Sequence, residues 1–206
     1  MLGNELLAAA VNAGQTLIGL VWHPYATYRR ILEKGRIAEL VYIALLLAIY
    51  FAVASLVKTA AFRPFLLTKQ FVLLTAAVGA NYAVAVGLLW YTGLLVGGRG
   101  RLDRFALAWA YTLIPTLCWF LATSLLYVVI PPPRTTAPQG ILFSVLYLVF
   151  SSTLLFWKVT LAYLTLRFGL KLDLKKISIV FAVVVPALVV YSAGMYKAGI
   201  FRIPFL

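Results

Sequence analysis

Long apolar stretches separated by short polar joints dominate this chain. A helix needs about 20 mostly apolar residues to cross roughly 30 Å of hydrocarbon. Five stretches meet this requirement: 37–57, 71–96, 105–130, 141–166 and 177–196. The only charged side chains within them are Glu39 and Lys158. The pattern predicts an all-α integral membrane protein whose residues 37–206 form one domain of five transmembrane helices.

Residues 1–36 follow a different pattern. At about 100° per residue, five polar side chains fall within about a third of a helical wheel: Asn4, Glu5, Asn12, Gln15 and Thr16. This predicts an amphipathic interfacial leader that lies flat in the headgroup zone, with its apolar face sunk into the bilayer or packed on the bundle. Pro24 suits the first position of a second short helix. Trp22, Tyr25 and Tyr28 are expected interfacial anchors.

Composition decides the medium and the class of partner. The chain carries a net charge of +13, which in water would indicate a nucleic-acid partner. However, 64% of its residues are hydrophobic and only 11% are charged, and the mean hydropathy is +1.01. These values are typical of a protein in a lipid bilayer. We therefore expect anionic membrane lipids as partners and no nucleic acid.

The basic residues predict the orientation, because cytoplasmic loops of membrane proteins carry an excess of Lys and Arg. Eleven of the 18 basic residues fall on one side of the predicted bundle: Arg29, Arg30, Lys34, Arg36, Arg99, Arg101, Arg104, Arg167, Lys171, Lys175 and Lys176. This predicts a multi-pass protein of the cytoplasmic membrane, with its N-terminus in the cytoplasm and its C-terminus outside.

The same basic face is a candidate binding surface for anionic lipid or for an acidic partner protein. Its glycine-rich turn, residues 97–104, places three guanidinium groups where they could hold a phosphate through paired hydrogen bonds. In the alternative interpretation these arginines only set topology, and Asp103 is the N-cap of the third span. The candidate residues are Arg29, Arg30, Arg99, Arg101, Arg104, Lys175 and Lys176.

Lys158 is a charge within a predicted span. Its stem could carry the ammonium back towards the interface. Alternatively, Lys158 could serve a polar pocket that opens to the cytoplasm, because Pro115 and Pro186 at similar depth free the carbonyls of Tyr111 and Ala182. The predicted pocket comprises Lys158, Tyr111, Pro115, Ala182, Pro186 and Asn81.

The chain offers few residues that could carry out catalysis. His23 is the single histidine, Cys118 is the single cysteine, and Glu39 is the only acid in any predicted span. Metal sites need clustered ligands, and acid–base catalysis needs a positioned carboxylate or histidine. We therefore expect no enzyme, no metal and no cofactor.

Two short segments carry a family resemblance. Residues 23–31 read HPYATYRRI, and the glycine-rich turn leads into YTLIP at 111–115. Together with five spans, this arrangement resembles the Yip domain family of Ypt/Rab-interacting membrane proteins, in its compact prokaryotic type. The resemblance implies a five-helix membrane protein with a cytoplasmic N-terminus, a role in membrane trafficking or shaping, and structural roles for Pro24, Tyr28, Tyr111 and Pro115.

The resemblance has a limit. Eukaryotic members carry a long cytoplasmic region with an Asp-Leu-Tyr-Gly-Pro motif, whereas this chain has a short leader, so a Rab partner does not follow. The leading hypothesis is a non-enzymatic protein that binds anionic lipid or a partner protein. A second copy of the chain is one candidate partner. The rival hypothesis is a transporter, channel or lipid scramblase that uses the pocket around Lys158.

Overall fold

In a computed structural model, residues 2–58, 64–129 and 138–197 are described, and this part of the chain is helical without strands. The helices in chain order are α1 Leu2–Trp22, α2 Pro24–Lys34, α3 Glu39–Lys58, α4 Pro64–Leu95, α5 Leu102–Tyr111, α6 Leu113–Val129, α7 Pro138–Gly169 and α8 Leu174–Lys197. The predicted all-α class is confirmed.

Four helical stretches are long and apolar enough to cross a membrane. They are Phe71–Leu95, Leu102–Leu126, Gly140–Gly169 and Leu174–Lys197. They correspond to four of the five predicted spans, and the chain is therefore a multi-pass membrane protein. The remaining predicted span, 37–57, falls on α3, where the shorter apolar helix Glu39–Ala54 is recognised. That α3 crosses the membrane stays a prediction.

The span predicted at 105–130 is built from two helices, α5 and α6. Thr112 separates them, and both its N–H and its hydroxyl donate to the carbonyl of Trp109, at 2.9 and 2.7 Å. Pro115, three residues further on, has no N–H to donate to the carbonyl of Tyr111. The proline thus interrupts regular helical bonding where the two helices meet.

The leader consists of α1 and α2, with His23 between them. Helix α2 begins at Pro24, which confirms the predicted second helix. The buried stripe of α1 holds small side chains and one leucine: Ala9, Ala13, Thr16 and Leu20. Thr16 was expected on the polar face but is buried, because it lies beside the hydroxyl of Tyr111. Larger apolar side chains face outward instead, at Val11, Ile18, Val21 and Trp22.

Two apolar clusters form the core, and α5 and α7 contribute to both. One cluster joins α4, α5, α7 and α8 around Phe105 and Leu166, which are fully buried. The other joins α1, α2, α3, α5, α6 and α7 around Tyr28 and Leu107. Elsewhere α7 exposes large apolar side chains such as Leu155 and Phe156. An exposed apolar surface of this kind is stable when hydrocarbon surrounds it.

Candidate functional site

The polar joints of three parts of the chain meet at one end of the bundle. The N–H of Arg99 donates to the carbonyl of Leu170 at 2.8 Å, and the guanidinium of Arg104 donates to the carbonyl of Gly35. The ring of Tyr25 meets that of Phe168 edge-on, with centroids 4.7 Å apart. Residues 29–36, 97–104 and 167–176 therefore form one surface, called the basic end below.

Glycine is required where two of these joints touch. Gly97 has φ +90°, a left-handed conformation that L side chains rarely adopt. A Cβ on Gly100 would overlap the carbonyl of Gly169. The indole N–H of Trp90 donates to the Gly100 carbonyl at 3.2 Å. These contacts hold the turn that carries Arg99 against the turn that carries the lysines.

Several predicted phosphate ligands already have other partners. Arg101 makes a double hydrogen bond to the carboxylate of Asp103, at 3.1 and 2.8 Å. The N-cap of α5 is Arg101, so the prediction that Asp103 is the N-cap is wrong. Asp103 lies in the first turn of α5, where its negative charge interacts favourably with the helix dipole. Arg29 pairs with Glu33 at 3.9 Å. Arg101 and Arg104 thus already have partners within the protein, and binding of a phosphate by this turn stays a prediction.

Other cations at the basic end carry no ion pair within the described ranges. Three of them, Arg99, Lys175 and Lys176, lie on the turn at 97–104 and on the start of α8, and these three are called the free cations below. Arg99 and Lys175 are exposed and Lys176 is half-buried. A Cβ on Gly97 would lie 3.4 Å from the ammonium of Lys176, so this lysine reaches the turn that carries Arg99. The three side chains form a candidate anion-binding set.

Beneath the basic end lies a buried carboxyl group. Glu39, the first residue of α3, is 2% exposed. Its two oxygens accept hydrogen bonds from the hydroxyl of Tyr111 at 2.5 Å and from the backbone N–H of Arg36 at 3.0 Å. Thr16 of α1 also bonds the Tyr111 hydroxyl. One acidic side chain thereby connects α1, α3 and α5.

A second buried contact connects α2 with α5 and α7. The hydroxyl of Tyr28 donates to the carbonyl of Ala108 at 3.2 Å, and Thr165 lies at 3.5 Å from the same oxygen. Burial raises the pKa of Tyr28, and the hydrogen bond with Thr165 lowers it by less. The phenol therefore stays protonated at physiological pH and remains a hydrogen-bond donor.

These buried groups fasten helices together and do not form a recognisable catalytic arrangement. Within the described residues, His, Cys, Asp and Glu do not gather in groups of three that could hold a metal ion. Cys118 is a free, half-buried thiol. The arrangement can attract anions at the free cations, while the buried hydrogen bonds of Glu39 and Tyr28 hold the neighbouring helices together.

The residues of the predicted intramembrane pocket have separate surroundings. Lys158 is half-buried, and its ammonium donates to the hydroxyl of Thr116 on α6 at 2.9 Å. Asn81 accepts a hydrogen bond from Tyr191 on α8 at 2.8 Å, while Ala182 and Pro186 are exposed on α8. Asn81 and Thr116 do line a common cavity of about 40 Å³. The described contacts do not assemble the six predicted residues into one site.

Sequence reasoning missed the partners of Glu39. Its carboxyl group was noted as the single acid in a predicted span, which is a signal that a buried partner must exist. Tyr111 and the backbone of Arg36 supply the two donors. Hydroxyl and backbone donors have no sequence pattern of their own, so the signal could locate the acid but not its neighbours.

The fold and this basic end define the chain as a polytopic α-helical membrane protein with a positively charged face. The Yip1 domain matches residues 18–196, which is most of the chain. The chain belongs to the Yip1 domain family, as the resemblance of its leader and its third span implied. No curated protein and no solved structure matches it significantly.

Proposed function

We propose that this protein is a non-enzymatic membrane organiser that binds the surface of an anionic bilayer through its basic end and its leader. The observation that carries the proposal is the exposed apolar side of α1, where Val11, Ile18, Val21 and Trp22 are 55%, 66%, 61% and 74% exposed. Helix α1 also lies next to a cation of α2, since Gln15 of α1 accepts a hydrogen bond from Arg30 at 2.9 Å.

Apolar insertion and charge attraction reinforce each other at a membrane surface. A cation near an anionic leaflet contributes about 1 kcal/mol, so Arg99, Lys175 and Lys176 together contribute about 3 kcal/mol. Cations that already pair with a carboxylate contribute less, because their field is partly neutralised. Membership of the Yip1 domain family supports a role in membrane organisation or trafficking.

The proposal includes α3 as the fifth span and a cytoplasmic basic end. Helix α3 begins beside Tyr111 of α5 through Glu39 and reaches Ser124 of α6 through Tyr50, whose hydroxyl lies 3.2 Å from that of Ser124. Helix α3 therefore runs beside α6 through the same depth of the bundle. It also exposes Val41, Leu45, Ile49 and Val53, which suits contact with lipid.

The test compares free with paired cations in the full-length protein. The chain is reconstituted in phosphatidylcholine vesicles containing dansyl-labelled phosphatidylglycerol, and energy transfer from tryptophan to the dansyl headgroup is competed with unlabelled phosphatidylglycerol or phosphatidylcholine. Substituting Gln for Arg99, Lys175 and Lys176 should weaken the preference for phosphatidylglycerol by about 100-fold, which corresponds to about 3 kcal/mol.

The matched control removes the same number of positive charges. Substituting neutral amides for both members of each ion pair, Arg29 with Glu33, Arg101 with Asp103 and Arg167 with Asp173, leaves the net charge unchanged and should weaken the preference less than tenfold. Equal effects of the two variants would mean that ion pairing does not decide which cations bind lipid, and this would contradict the proposal. An unchanged preference after removal of the free cations would overturn the proposal.

A further inference from the structure

A narrow apolar slot runs between α3 and α4, with the junction of α5 and α6 as its floor. Its volume is about 220 Å³. Its walls carry small side chains from both helices and its floor is apolar: Ala44, Ala48, Thr75, Gly79, Ala110 and Leu113. The polar groups bordering it are few, and the hydroxyl of Tyr82 already donates to the carbonyl of Ala106 at 2.7 Å. A space of this character attracts hydrocarbon rather than water.

The dimensions restrict what can enter. From Leu40 to Phe51 the slot follows twelve residues of α3, and the eleven steps between them span about 16 Å at about 1.5 Å each. A helix of that length, about 10 Å across with its side chains, would occupy roughly 1,200 Å³ and is too large for the slot. A single flexible hydrocarbon chain fits.

The surroundings identify the source of that chain. The wall of the slot at Gly79 is exposed and lies within the apolar stretch Phe71–Leu95, so lipid surrounds it. At the other end, Leu40 follows Glu39 directly, and Arg36 lies one turn earlier. The Arg36 side chain is exposed and has no ion pair within the described part of the chain. Arg36 is therefore placed to meet a phosphate above an inserted chain.

We propose that the slot binds one acyl chain of an anionic phospholipid, with the lipid phosphate beside Arg36. The bound lipid would seal the seam between α3 and α4 and fix a single lipid molecule below the basic end. This site does not depend on the free cations Arg99, Lys175 and Lys176.

Trp109 provides a local reporter. It lines the cavity of about 40 Å³ that shares Leu47, Phe51 and Leu113 with the slot. The full-length protein with Trp109 as its single tryptophan is reconstituted in vesicles containing phosphatidylglycerol with brominated acyl chains, which quench nearby indoles. Native mass spectrometry of the protein with all its tryptophans, incubated with phosphatidylglycerol, gives a second readout.

The variants fill the slot from either wall. Gly79→Leu is tolerated sterically because an added Cβ meets nothing within 4 Å. Ala48→Leu fills the slot from α3. Gly87→Leu is the matched control, since it makes the same change on the same helix, and its Cβ also meets nothing within 4 Å, yet Gly87 does not border the slot.

Bromolipid should quench Trp109 in the parent and in Gly87→Leu, and quenching should fall at least twofold in Gly79→Leu and Ala48→Leu, with loss of one retained lipid. Arg36→Gln should reduce the preference for phosphatidylglycerol over phosphatidylcholine at this site. Unchanged quenching and lipid retention in both slot variants would overturn the proposal. The proposal would also be overturned if a slot variant left quenching and lipid retention unchanged and altered only chemical cross-linking between copies of the protein. The slot would then be a surface on which helices of two copies pack.

The free-cation triple variant separates this site from the proposed function. It should leave Trp109 quenching intact while weakening headgroup energy transfer. Weakened energy transfer in the triple variant together with unchanged quenching in both slot variants would overturn the acyl-chain site alone. Unchanged energy transfer in the triple variant would overturn the proposed function, whatever the slot variants show.

Discussion

Glu39 illustrates how single buried polar residues hold this bundle together. An acidic side chain at this depth needs hydrogen-bond donors, because an unsatisfied carboxyl group in a low-dielectric interior is costly. The hydroxyl of Tyr111 and the N–H of Arg36 provide them. Since Tyr111 lies on α5, the pair fixes the start of α3 against the centre of the core.

Tyr111→Phe should therefore destabilise the protein more than Tyr28→Phe. Removing the 2.5 Å bond to Glu39 should lower the free energy of unfolding by about 1.5–3 kcal/mol, the usual range for a hydrogen bond to a charged group. Tyr28→Phe should cost about 1 kcal/mol, because Thr165 still reaches the Ala108 carbonyl. Denaturant titration in mixed micelles measures both.

A double variant completes this prediction. Combining Glu39→Leu with Tyr111→Phe should cost less than the sum of the single changes, since both remove the same bond. Additive costs, or a Tyr111→Phe cost no larger than that of Tyr28→Phe, would contradict the linking role of Glu39.

Lys158 offers a different test, of whether an intramembrane charge supports the fold. Lys158→Met keeps the apolar stem and removes the ammonium, which donates to Thr116. The free energy of unfolding should fall by no more than about 1 kcal/mol, because burial of the charge offsets much of what its hydrogen bond contributes. Thr116→Val should cost more, because it leaves the ammonium without its acceptor. The opposite ranking would favour a structured polar pocket around Lys158.

At the scale of helices, α1 combines a closely packed side with an apolar side that is open to its surroundings. Ala9 and Ala13 let α1 approach its neighbours closely, and Thr16 lies beside the hydroxyl of Tyr111. The exposed side carries Ile18 and Trp22. The helix is therefore fixed to the bundle on one side and available to lipid on the other.

Ile18→Asn tests the lipid-facing side. Because Ile18 is 66% exposed, its substitution in lipid-poor micelles should change stability by no more than about 0.5 kcal/mol. In vesicles it should increase hydrogen exchange in α1 several-fold, since the apolar side no longer inserts. Asn12→Ser on the opposite flank is the control. Equal exchange of wild type and Ile18→Asn in vesicles would show that α1 does not depend on lipid.

At the scale of the whole molecule, the joints that meet at the basic end fix which helix ends share a membrane side. Three basic segments lie together there through the contacts of Arg99 with Leu170 and of Arg104 with Gly35. A surface with this excess of cations is expected to face the cytoplasm. The C-terminal end of α8 would then lie outside.

Cysteine labelling in intact cells tests this orientation. In a Cys118→Ala background, Tyr196→Cys at the end of α8 should react with a membrane-impermeant maleimide, whereas Lys175→Cys at the basic end should react only after permeabilisation. Both positions are exposed, so accessibility should reflect the side of the membrane. Reaction of Lys175→Cys alone in intact cells would reverse the proposed topology.

The lengths of the apolar stretches and the positions of the charged residues can be read directly from the sequence. Four predicted spans coincide with long apolar helices, because the thickness of hydrocarbon sets a minimum length whatever the packing. The helix starting at Pro24 was also predictable, since proline fits the first turn. The division at Thr112 had only an indirect sign in Pro115.

The sequence did not show which side of each helix faces the rest of the protein. Ala182 and Pro186 were assigned to an interior pocket but are exposed on α8. In water the buried side of a helix is the apolar one, whereas in a membrane helix both sides are apolar, and the hydrophobic pattern carries little rotational information. Thr16 was misassigned for a related reason, because a polar side chain buried by a specific partner follows no periodicity.

The sequence alone determined the medium, most of the spans and the short helix that begins at Pro24, because these depend on apolar lengths that the bilayer imposes and on the fit of proline to a first helical turn. Only the tertiary structure decided which cations are free and which are paired, that Glu39 joins three helices through Tyr111, and that a slot is present between α3 and α4. Those features depend on how helices are rotated and on short hydrogen bonds between residues far apart in the chain, and local patterns do not encode either.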